Sequence, residues 1–365
     1  MSISKEDVLK ALSTVQEPDL KKDLVSLNMI RDIVVNGEKV KFTVVLTTPA
    51  CPLKELIRKM CVDAIHQHVD PKADVTVDMT ADVTSVRTSG PVLPGVKNII
   101  AISSGKGGVG KSTVTANLAI ALSKAGAKVG LIDADIYGPS MPTMFDLVDE
   151  RPSVIQENGK NYIIPLVQYG IKIMSIGFLT PADHAIVWRG PMASSALKQF
   201  ITDCKWEELD YLLIDLPPGT SDIHLTLVQN VPVTGAVVVT TPQKVALADA
   251  LKGLLMFKQP QINVPVLGIV ENMAYFTPEE LPNNKYFIFG KNGGKDLAEK
   301  YEVPFLGQIP LVQGIRESGD NGKPVTMQDN ITGEAFFKVA EALAQQVAIR
   351  NANLEATKPV ELKVN

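Results

Sequence analysis

The chain has 365 residues, more than one hydrophobic core usually supports, so its length predicts two domains, one of them large. Hydrophobic residues make up 45%, charged residues 21% and aromatic residues 5%, which is typical of an α/β protein and argues against a disordered or membrane chain. The formal net charge of -4 and the isoelectric point near 5.7 indicate no strongly basic surface, so we expect no nucleic-acid partner.

Neither export nor membrane insertion is indicated. The N-terminus, MSISKEDVLKAL, mixes charged with apolar residues and lacks the apolar core of a secretory signal. The longest unbroken apolar run, 118–122, is far shorter than the roughly 20 residues that span a bilayer. The three cysteines are too few for a disulfide framework and are expected to be reduced. We therefore expect a cytoplasmic protein with no membrane partner.

Residues 1–85 are predicted to form a small α/β domain. Ser4 can cap a helix that continues to about residue 14. A strand rich in β-branched residues is predicted at 40–47, a helix at 53–68 and a further strand at 74–79. The domain then consists of one helix, a strand pair, a second helix and a third strand.

The remainder of the chain is predicted to form a larger domain over 97–350, after a linker at 86–96 that contains two prolines and two glycines. Short, mostly apolar strands alternate with helices, as in a parallel sheet that is covered on both faces. These strands are predicted at 96–103, 127–132, 211–214, 236–240 and 266–270. The fold class is therefore α/β, with a doubly wound, mostly parallel sheet, a helix over 331–349 and a polar tail at 351–365.

The segment 105–113, GKGGVGKST, follows the first of these strands and precedes a predicted helix that continues to residue 125. It matches the phosphate-binding pattern G-x-x-x-x-G-K-S/T in the required strand–loop–helix order, so a glycine-rich turn without a ligand is rejected. Loop N–H groups can surround the phosphates, and the helix N-terminus adds a favourable dipole. The residues expected to hold the nucleotide are Gly105, Gly107, Gly108, Val109, Gly110, Lys111, Ser112 and Thr113.

Two members of this loop have chemically distinct roles in binding ATP. Lys111 supplies a positive charge to the β and γ phosphate oxygens, and Ser112 is predicted to ligate Mg²⁺. Asn272, which follows the strand over 266–270, is a candidate reader of adenine, because an amide can pair with a donor and an acceptor on one base edge. An Asn after a strand is more often only a turn former, so the role of Asn272 in reading adenine rests on the family resemblance given below.

Acidic residues follow two predicted strands, at the sheet edge where open α/β folds bind ligands. Asp135 is assigned to the attacking water and Asp215 to Mg²⁺, through a water. Gly219 offers a backbone N–H near the γ-phosphate as a switch. Asp133 and Asp222 could share in this chemistry or only cap the loops that they begin, and both readings stay open.

The motifs together resemble the Mrp/ApbC family, the iron–sulfur cluster carrier ATPases related to MinD and the nitrogenase iron protein. The resemblance covers nearly the full length and rests on GKGGVGKST at 105–113, DADIYGPSMP at 133–142, WRGPM at 188–192, DYLLIDLPPGTSD at 210–222 and TTPQKVALAD at 240–249. Residues 17–30 and 47–52, EPDLKKDLVSLNMI and TTPACP, resemble the small iron–sulfur assembly domain that often precedes this ATPase.

The resemblance implies a slow, magnesium-dependent ATPase that binds or transfers iron–sulfur clusters to apo-proteins. Lys106 resembles the extra lysine of the deviant Walker A loop, which reaches the γ-phosphate held by the facing subunit. On that basis ATP would be sandwiched in a homodimer and Lys106 would act in trans during hydrolysis. The alternative is a solvated loop lysine without a role.

The cysteines depart from the family pattern. Many members carry a C-x-x-C pair after the ENM motif, which in a dimer gives four thiolates, two from each chain, as ligands of a bridging 4Fe-4S cluster. Here Glu271-Asn272-Met273 is followed by no cysteine between residues 274 and 294, so that site cannot exist in that form. Cys51, before a predicted helix N-terminus that would favour its thiolate, is the candidate cluster ligand, although it could equally be a small buried hydrophobe.

Other ligands and functions are less well supported by the sequence. Cys61 lies on an apolar helix and Cys204 just ahead of Trp206, and the histidines show no metal-ligand spacing with any cysteine. Because the cysteine pair is missing, the alternative function is a nucleotide-switched adaptor that binds assembly factors without carrying a cluster. A membrane-positioning ATPase is disfavoured, because the tail is not a basic amphipathic helix.

Overall fold

The computed structural model describes residues 3–87, 92–179, 190–278, 280–281, 283–328 and 330–360. Residues 88–91 of the proposed linker, residues 188–189 of the WRGPM motif and residues 361–365 of the tail lie outside this part. The chain divides into two compact units, one of Met1–Thr84 with Ala348–Leu354 and one of Ser85–Val347 with Glu355–Asn365. Among the helices in the described residues, none combines the length and the apolar character that a membrane crossing requires.

The smaller unit is built on a mixed sheet whose central strand pairs antiparallel on one side and parallel on the other. Its helices pack on this sheet through apolar side chains that include Leu12, Phe42 and Ile57. Full burial of such a side chain contributes roughly 1.5–3 kcal/mol. In chain order the elements are α1 (Lys5–Leu12), β1 (Gln16–Glu17), β2 (Lys22–Asp23), β3 (Ile30–Asn36), β4 (Lys39–Leu46), α2 (Lys54–His68) and β5 (Asp74–Ala81).

The predicted cap of the first helix is confirmed. Asp7 N donates to Ser4 Oγ at 3.1 Å, and Ser4 N donates to the Asp7 carboxylate at 3.3 Å, which forms a capping box. The helix ends at Leu12, earlier than predicted, because the hydroxyls of Ser13 and Thr14 donate to carbonyls of the last turn.

The larger unit is organised around one sheet. Within the described residues this sheet has eight strands in the order β10-β11-β7-β12-β6-β13-β14-β15, all parallel except the edge strand β10. The strands of the unit are β6 (Val96–Ser104), β7 (Val129–Asp133), β8 (Ser153–Glu157), β9 (Lys160–Ile164), β10 (Leu166–Gln168), β11 (Ile171–Ser175), β12 (Leu209–Asp215), β13 (Gly235–Thr240), β14 (Val266–Glu271) and β15 (Phe305–Gln308).

Both faces of the sheet are covered. Consecutive residues of β12 point to opposite faces, yet Leu212, Leu213 and Ile214 are all fully buried. The helices of the unit are α3 (Lys111–Lys124), α4 (Met141–Met144), α5 (Gly190–Thr202), α6 (Asp222–Asn230), α7 (Lys244–Lys258), α8 (Gly293–Lys300), α9 (Gln313–Asp320) and α10 (Ile331–Asn353), of which the part from Ala348 onward is assigned to the smaller unit. The predicted α/β class with a mostly parallel sheet is confirmed.

The five strands predicted from apolar runs are β6, β7, β12, β13 and β14, with ends that differ by up to two residues. The elements between α4 and α5 were not predicted. Among them is a hairpin of β8 and β9, whose turn at Asn158 and Gly159 has positive φ at both positions. An Asn-Gly pair is a strong signal for such a turn, so this hairpin could have been recognised.

Candidate functional site

The loop between β6 and α3 has the backbone of a phosphate cradle. Gly108 and Gly110 adopt φ of +83° and +79°, a region that side chains rarely tolerate. A Cβ on Gly105 would lie 2.0 Å from the backbone carbon of Asp249 in α7, so close packing also requires glycine there. No side chain caps the N-terminus of α3, whose N–H groups can therefore bind an anion.

A buried ion pair lies beneath this loop. Lys111 Nζ is 2.8 Å from Asp215 Oδ2, with side-chain exposures of 5% and 0%. Ser112 Oγ donates to the same oxygen at 2.6 Å, and Thr115 Oγ1 donates to Asp215 Oδ1 at 2.7 Å. Removing one partner of a buried pair leaves an uncompensated charge, which costs about 3–5 kcal/mol. The structure thus brings together Lys111, Ser112 and Asp215, three residues that the sequence analysis singled out.

Two further carboxylates lie at the same sheet edge, because β7 and β12 are neighbours in which Asp133 pairs with Asp215. Asp135 Oδ2 is 3.6 Å from Lys111 Nζ, and burial raises the pKa of Asp135 although the Lys111 charge opposes this. Asp133 is fully buried, and burial followed by the negative charge of Asp215 raises its pKa to about 7. The Asp133 carboxylate oxygens accept hydrogen bonds from backbone N–H groups of the following loop, so Asp133 caps this loop in the structure.

The loop after β12 is tied to the strand under the phosphate cradle. Gly219, at φ +85°, donates its N–H to Ser104 O at 2.8 Å, so this donor is not directed at a phosphate here. His224 accepts from Ser221 N at 3.2 Å, and burial lowers the pKa of His224 to about 4, which keeps it neutral at pH 7. Ser221 is the N-cap of α6, and Asp222 is an exposed residue of the first turn rather than the cap.

Asn272 lies directly against the phosphate loop. Its Nδ2 donates to Val109 O at 2.8 Å, and its own N–H donates to Thr240 O. One amide hydrogen is therefore committed to holding the loop. A cavity of about 530 Å³ opens beside it, bordered among others by Thr113, Leu311 and Ile315, and this volume suits a small-molecule ligand.

The remaining predicted residues are not part of this cluster. Lys106 is half-buried in the loop, where its carbonyl accepts from Ser104 Oγ at 3.1 Å. Cys51 is half-buried in the smaller unit, at the turn between β4 and α2. Cys61 and Cys204 are buried, which raises the pKa of each thiol to about 12. Within the described ranges, no group of three or more His, Cys, Asp or Glu residues is arranged to hold a metal ion.

Two residues of the site were missed by the sequence reasoning. Thr115 binds Asp215, and Ser175 at the end of β11 donates to Asp133 Oδ2 at 2.9 Å. Thr115 lies four residues after Lys111 on one helix face, a spacing that could have indicated it. Ser175 is the last residue of a short strand that was not predicted, so no such signal was available.

A glycine loop between a buried strand and a helix, with a lysine and three carboxylates at its base, defines a P-loop nucleoside triphosphatase. The family model described as ParA: NUBPL iron-transfer P-loop NTPase matches residues 95–347, and that described as iron–sulfur cluster assembly protein matches residues 5–79. The chain belongs to the NUBPL iron-transfer P-loop NTPase family and carries an N-terminal iron–sulfur assembly domain.

Two iron–sulfur cluster carrier proteins are similar in sequence to this chain over nearly its full length. An iron–sulfur cluster carrier protein from Synechocystis sp. is 47% identical, over 95% of this chain and 97% of the relative. Another from Escherichia coli is 42% identical, over 93% of this chain and 90% of the relative. The solved structure of a nucleotide-binding protein from Archaeoglobus fulgidus, in complex with ADP, is 41% identical with a TM-score of 0.55. That match covers 63% of this chain and 88% of that chain.

Replacing Thr115 with valine tests the hydrogen bond from Thr115 to Asp215, which was not predicted from the sequence. Thr115→Val keeps the branched shape but leaves the buried Asp215 carboxylate without one donor, so the free energy of unfolding should fall by about 1–3 kcal/mol. Urea denaturation of the nucleotide-free protein measures this change. Thr115→Ser retains the hydroxyl and should recover most of the loss, whereas equal stability of Thr115→Val and wild type would contradict the contact.

Proposed function

We propose that this chain is a magnesium-dependent ATPase that uses its nucleotide state, as a homodimer, to transfer iron–sulfur clusters to apo-proteins. The observation that carries the proposal is the buried group of Lys111, Ser112 and Asp215 at the start of α3. Support for the cargo comes from the two family matches and from the relatives named iron–sulfur cluster carrier proteins.

The residues under the loop fit a magnesium ion. Ser112 Oγ and Asp215 Oδ2 are 2.6 Å apart and are oxygen donors, the type that Mg²⁺ prefers. Ser112 would ligate the ion directly, and Asp215 would hold it through a water. When bound, the ion would neutralise charge on the β and γ phosphates.

Lys111 is proposed to change its partner when the nucleotide binds. Its ammonium is neutralised by Asp215, and a nucleotide would bring a competing anion to the N-terminus of the same helix. If Lys111 moves to the β and γ phosphate oxygens, Asp215 would keep its hydrogen bonds from the hydroxyls of Ser112 and Thr115 and would also face the hydration shell of the magnesium ion. ATP binding is thus linked to the loops after β7 and β12.

Asp135 is proposed to orient the attacking water. Its carboxylate is 3.6 Å from Lys111 Nζ and is 14% exposed, so it faces the same space as the phosphate-binding lysine. A partly buried carboxylate in this position can accept a hydrogen bond from water and direct its lone pair to the γ-phosphate. Gly219 would contact the γ-phosphate only after its N–H leaves Ser104 O.

The adenine base of the nucleotide is proposed to occupy the cavity beside Asn272. The second amide hydrogen and the oxygen of Asn272 supply the donor and acceptor that an adenine edge requires. Leu311 and Ile315 offer apolar contacts for the ring. This arrangement gives Asn272 two tasks, because the other amide hydrogen holds Val109 O.

Lys106 is proposed to act across a homodimer. Loop residues 105–110 lie at the carboxyl edge of the sheet, where a facing copy could present its own nucleotide. A lysine that reaches a phosphate only in the dimer would stabilise charge that develops during hydrolysis, much as an arginine supplied in trans does.

The cargo site is proposed to involve Cys51. It is the only one of the three cysteines that is partly exposed, whereas the thiols of Cys61 and Cys204 are held protonated by burial. Two copies of the chain would supply two Cys51 thiolates, and the rest of a cluster's ligands would come from elsewhere. The alternative function, an adaptor that carries no cluster, rests on the lack of a C-x-x-C pair after Asn272.

The two loop lysines should separate binding from hydrolysis. Lys111→Ala should abolish ATP binding, because the nucleotide loses its main positive contact. Lys106→Ala should bind ATP within about threefold of wild type but hydrolyse it about 100-fold more slowly. Equilibrium binding of a fluorescent ATP analogue and steady-state phosphate release measure the two effects. Lys252→Ala, a change at an exposed lysine of α7, is the control. Equal loss of ATP binding in both loop variants would exclude the role of Lys106 in trans.

Anaerobic reconstitution with iron and sulfide tests the cargo. We expect wild type and Cys204→Ala to bind about four irons per dimer with visible absorbance and to pass them to an apo-ferredoxin. Cys51→Ala should bind none. Absence of a cluster in wild type, with ATP hydrolysis intact, would replace the carrier by the adaptor, and a cluster retained in Cys51→Ala would exclude that thiol.

A further inference from the structure

The Asp133 carboxylate fixes both ends of the loop that carries Asp135. Asp135 N donates to Asp133 Oδ1 at 3.3 Å, and Met141 N, at the start of α4, donates to Oδ2 at 3.2 Å. The loop over 134–140 is therefore anchored at its first turn and at its exit by one side chain. Asp133 is fully buried and accepts these hydrogen bonds within the protein, so it organises the loop.

Ser175 in turn holds Asp133. The two residues are register partners at the carboxyl ends of β11 and β7, and Ser175 Oγ donates to Asp133 Oδ2 at 2.9 Å. The same hydroxyl accepts from Gly177 N at 3.0 Å, which fixes its rotamer. Both side chains are fully buried. A buried carboxylate held from a neighbouring strand has little freedom to rotate.

We propose that Asp133 and Ser175 form a positioning pair that sets the place of Asp135 for hydrolysis. The inference rests on the role proposed for Asp135. Ser175 orients the Asp133 carboxylate, that carboxylate fixes the backbone of Asp135, and the Asp135 side chain then meets the water near Lys111. Neither member of the pair touches substrate.

Loss of the Ser175 hydroxyl should act on turnover and not on ATP binding. A displacement of about 1 Å in a catalytic group can slow a reaction by about 100-fold. We expect Ser175→Ala to lower kcat by about 10- to 100-fold while KM for ATP and the affinity for a fluorescent ATP analogue stay within about twofold. Ser175→Cys, with a weaker donor of similar shape, should restore part of kcat.

A double-mutant cycle distinguishes positioning from general weakening of the fold. Single-turnover hydrolysis is measured for wild type, Ser175→Ala, Asp135→Ala and the double variant. If Ser175 acts through Asp135, Ser175→Ala should slow wild type but cause no further loss once Asp135 is alanine. Thr234→Val is the stability control. Thr234 Oγ1 is buried and accepts a hydrogen bond from Ile99 N at 3.0 Å, at the end of the sheet opposite to the site. This variant should lower the melting temperature and leave kcat unchanged.

Three results would overturn the inference, and they are distinguishable. An equal loss of kcat from Ser175→Ala in both backgrounds would mean that Ser175 does not act through Asp135. Unchanged kcat in Ser175→Ala would mean that the pair sets nothing. A normal rate in Asp135→Ala would instead show that the role proposed for Asp135 is wrong, and the pair would then have no catalytic group to position.

Discussion

The buried ion pair between Lys111 and Asp215 is the interaction on which the rest of this structure depends. Two charges that are almost wholly removed from water can persist only if each is compensated, and here the two side chains are 2.8 Å apart. Lys111 begins a helix and Asp215 ends a strand, so the pair joins the phosphate cradle to the loops where hydrolysis would occur. A ligand that competes for Lys111 therefore changes the surroundings of Asp215.

The parallel sheet makes this arrangement possible. Strands β7, β12 and β6 are consecutive neighbours, so the chain segments that leave their carboxyl ends meet above one edge. Asp133 and Asp215 pair across β7 and β12, and the cradle follows β6. Lys111 and Asp215, which are 104 positions apart in the sequence, thus share one site.

Much of this could be predicted because it is encoded locally. The apolar runs identified the five central strands, and the glycine-rich loop identified the start of α3. The spacing of Thr115 from Lys111 could have placed it on the same helix face, but its bond to Asp215, 100 residues away, could not be predicted because only the folded chain brings the two together. Ser175 was missed because its strand is short and its neighbour in the sheet is β7, far earlier in the sequence. The bond from Asn272 to Val109 was missed for the same reason.

The position of Cys51 bears on where a cluster could bind. The relatives named carrier proteins match this chain along nearly its whole length, yet its sequence has no cysteine between residues 274 and 294. Cys51 belongs instead to the unit that matches the iron–sulfur assembly family. On the role proposed for Cys51, cluster handling and ATP hydrolysis would be carried by different units of the chain.

The most direct test of the central claim is a crystal structure with magnesium and a non-hydrolysable ATP analogue. Lys111 Nζ should leave Asp215 Oδ2, now 2.8 Å away, and bind the β and γ phosphate oxygens, with Ser112 Oγ on the metal. If Lys111 stays paired with Asp215 while the analogue is bound, the ion pair is a fixed structural element and not the group that senses the nucleotide.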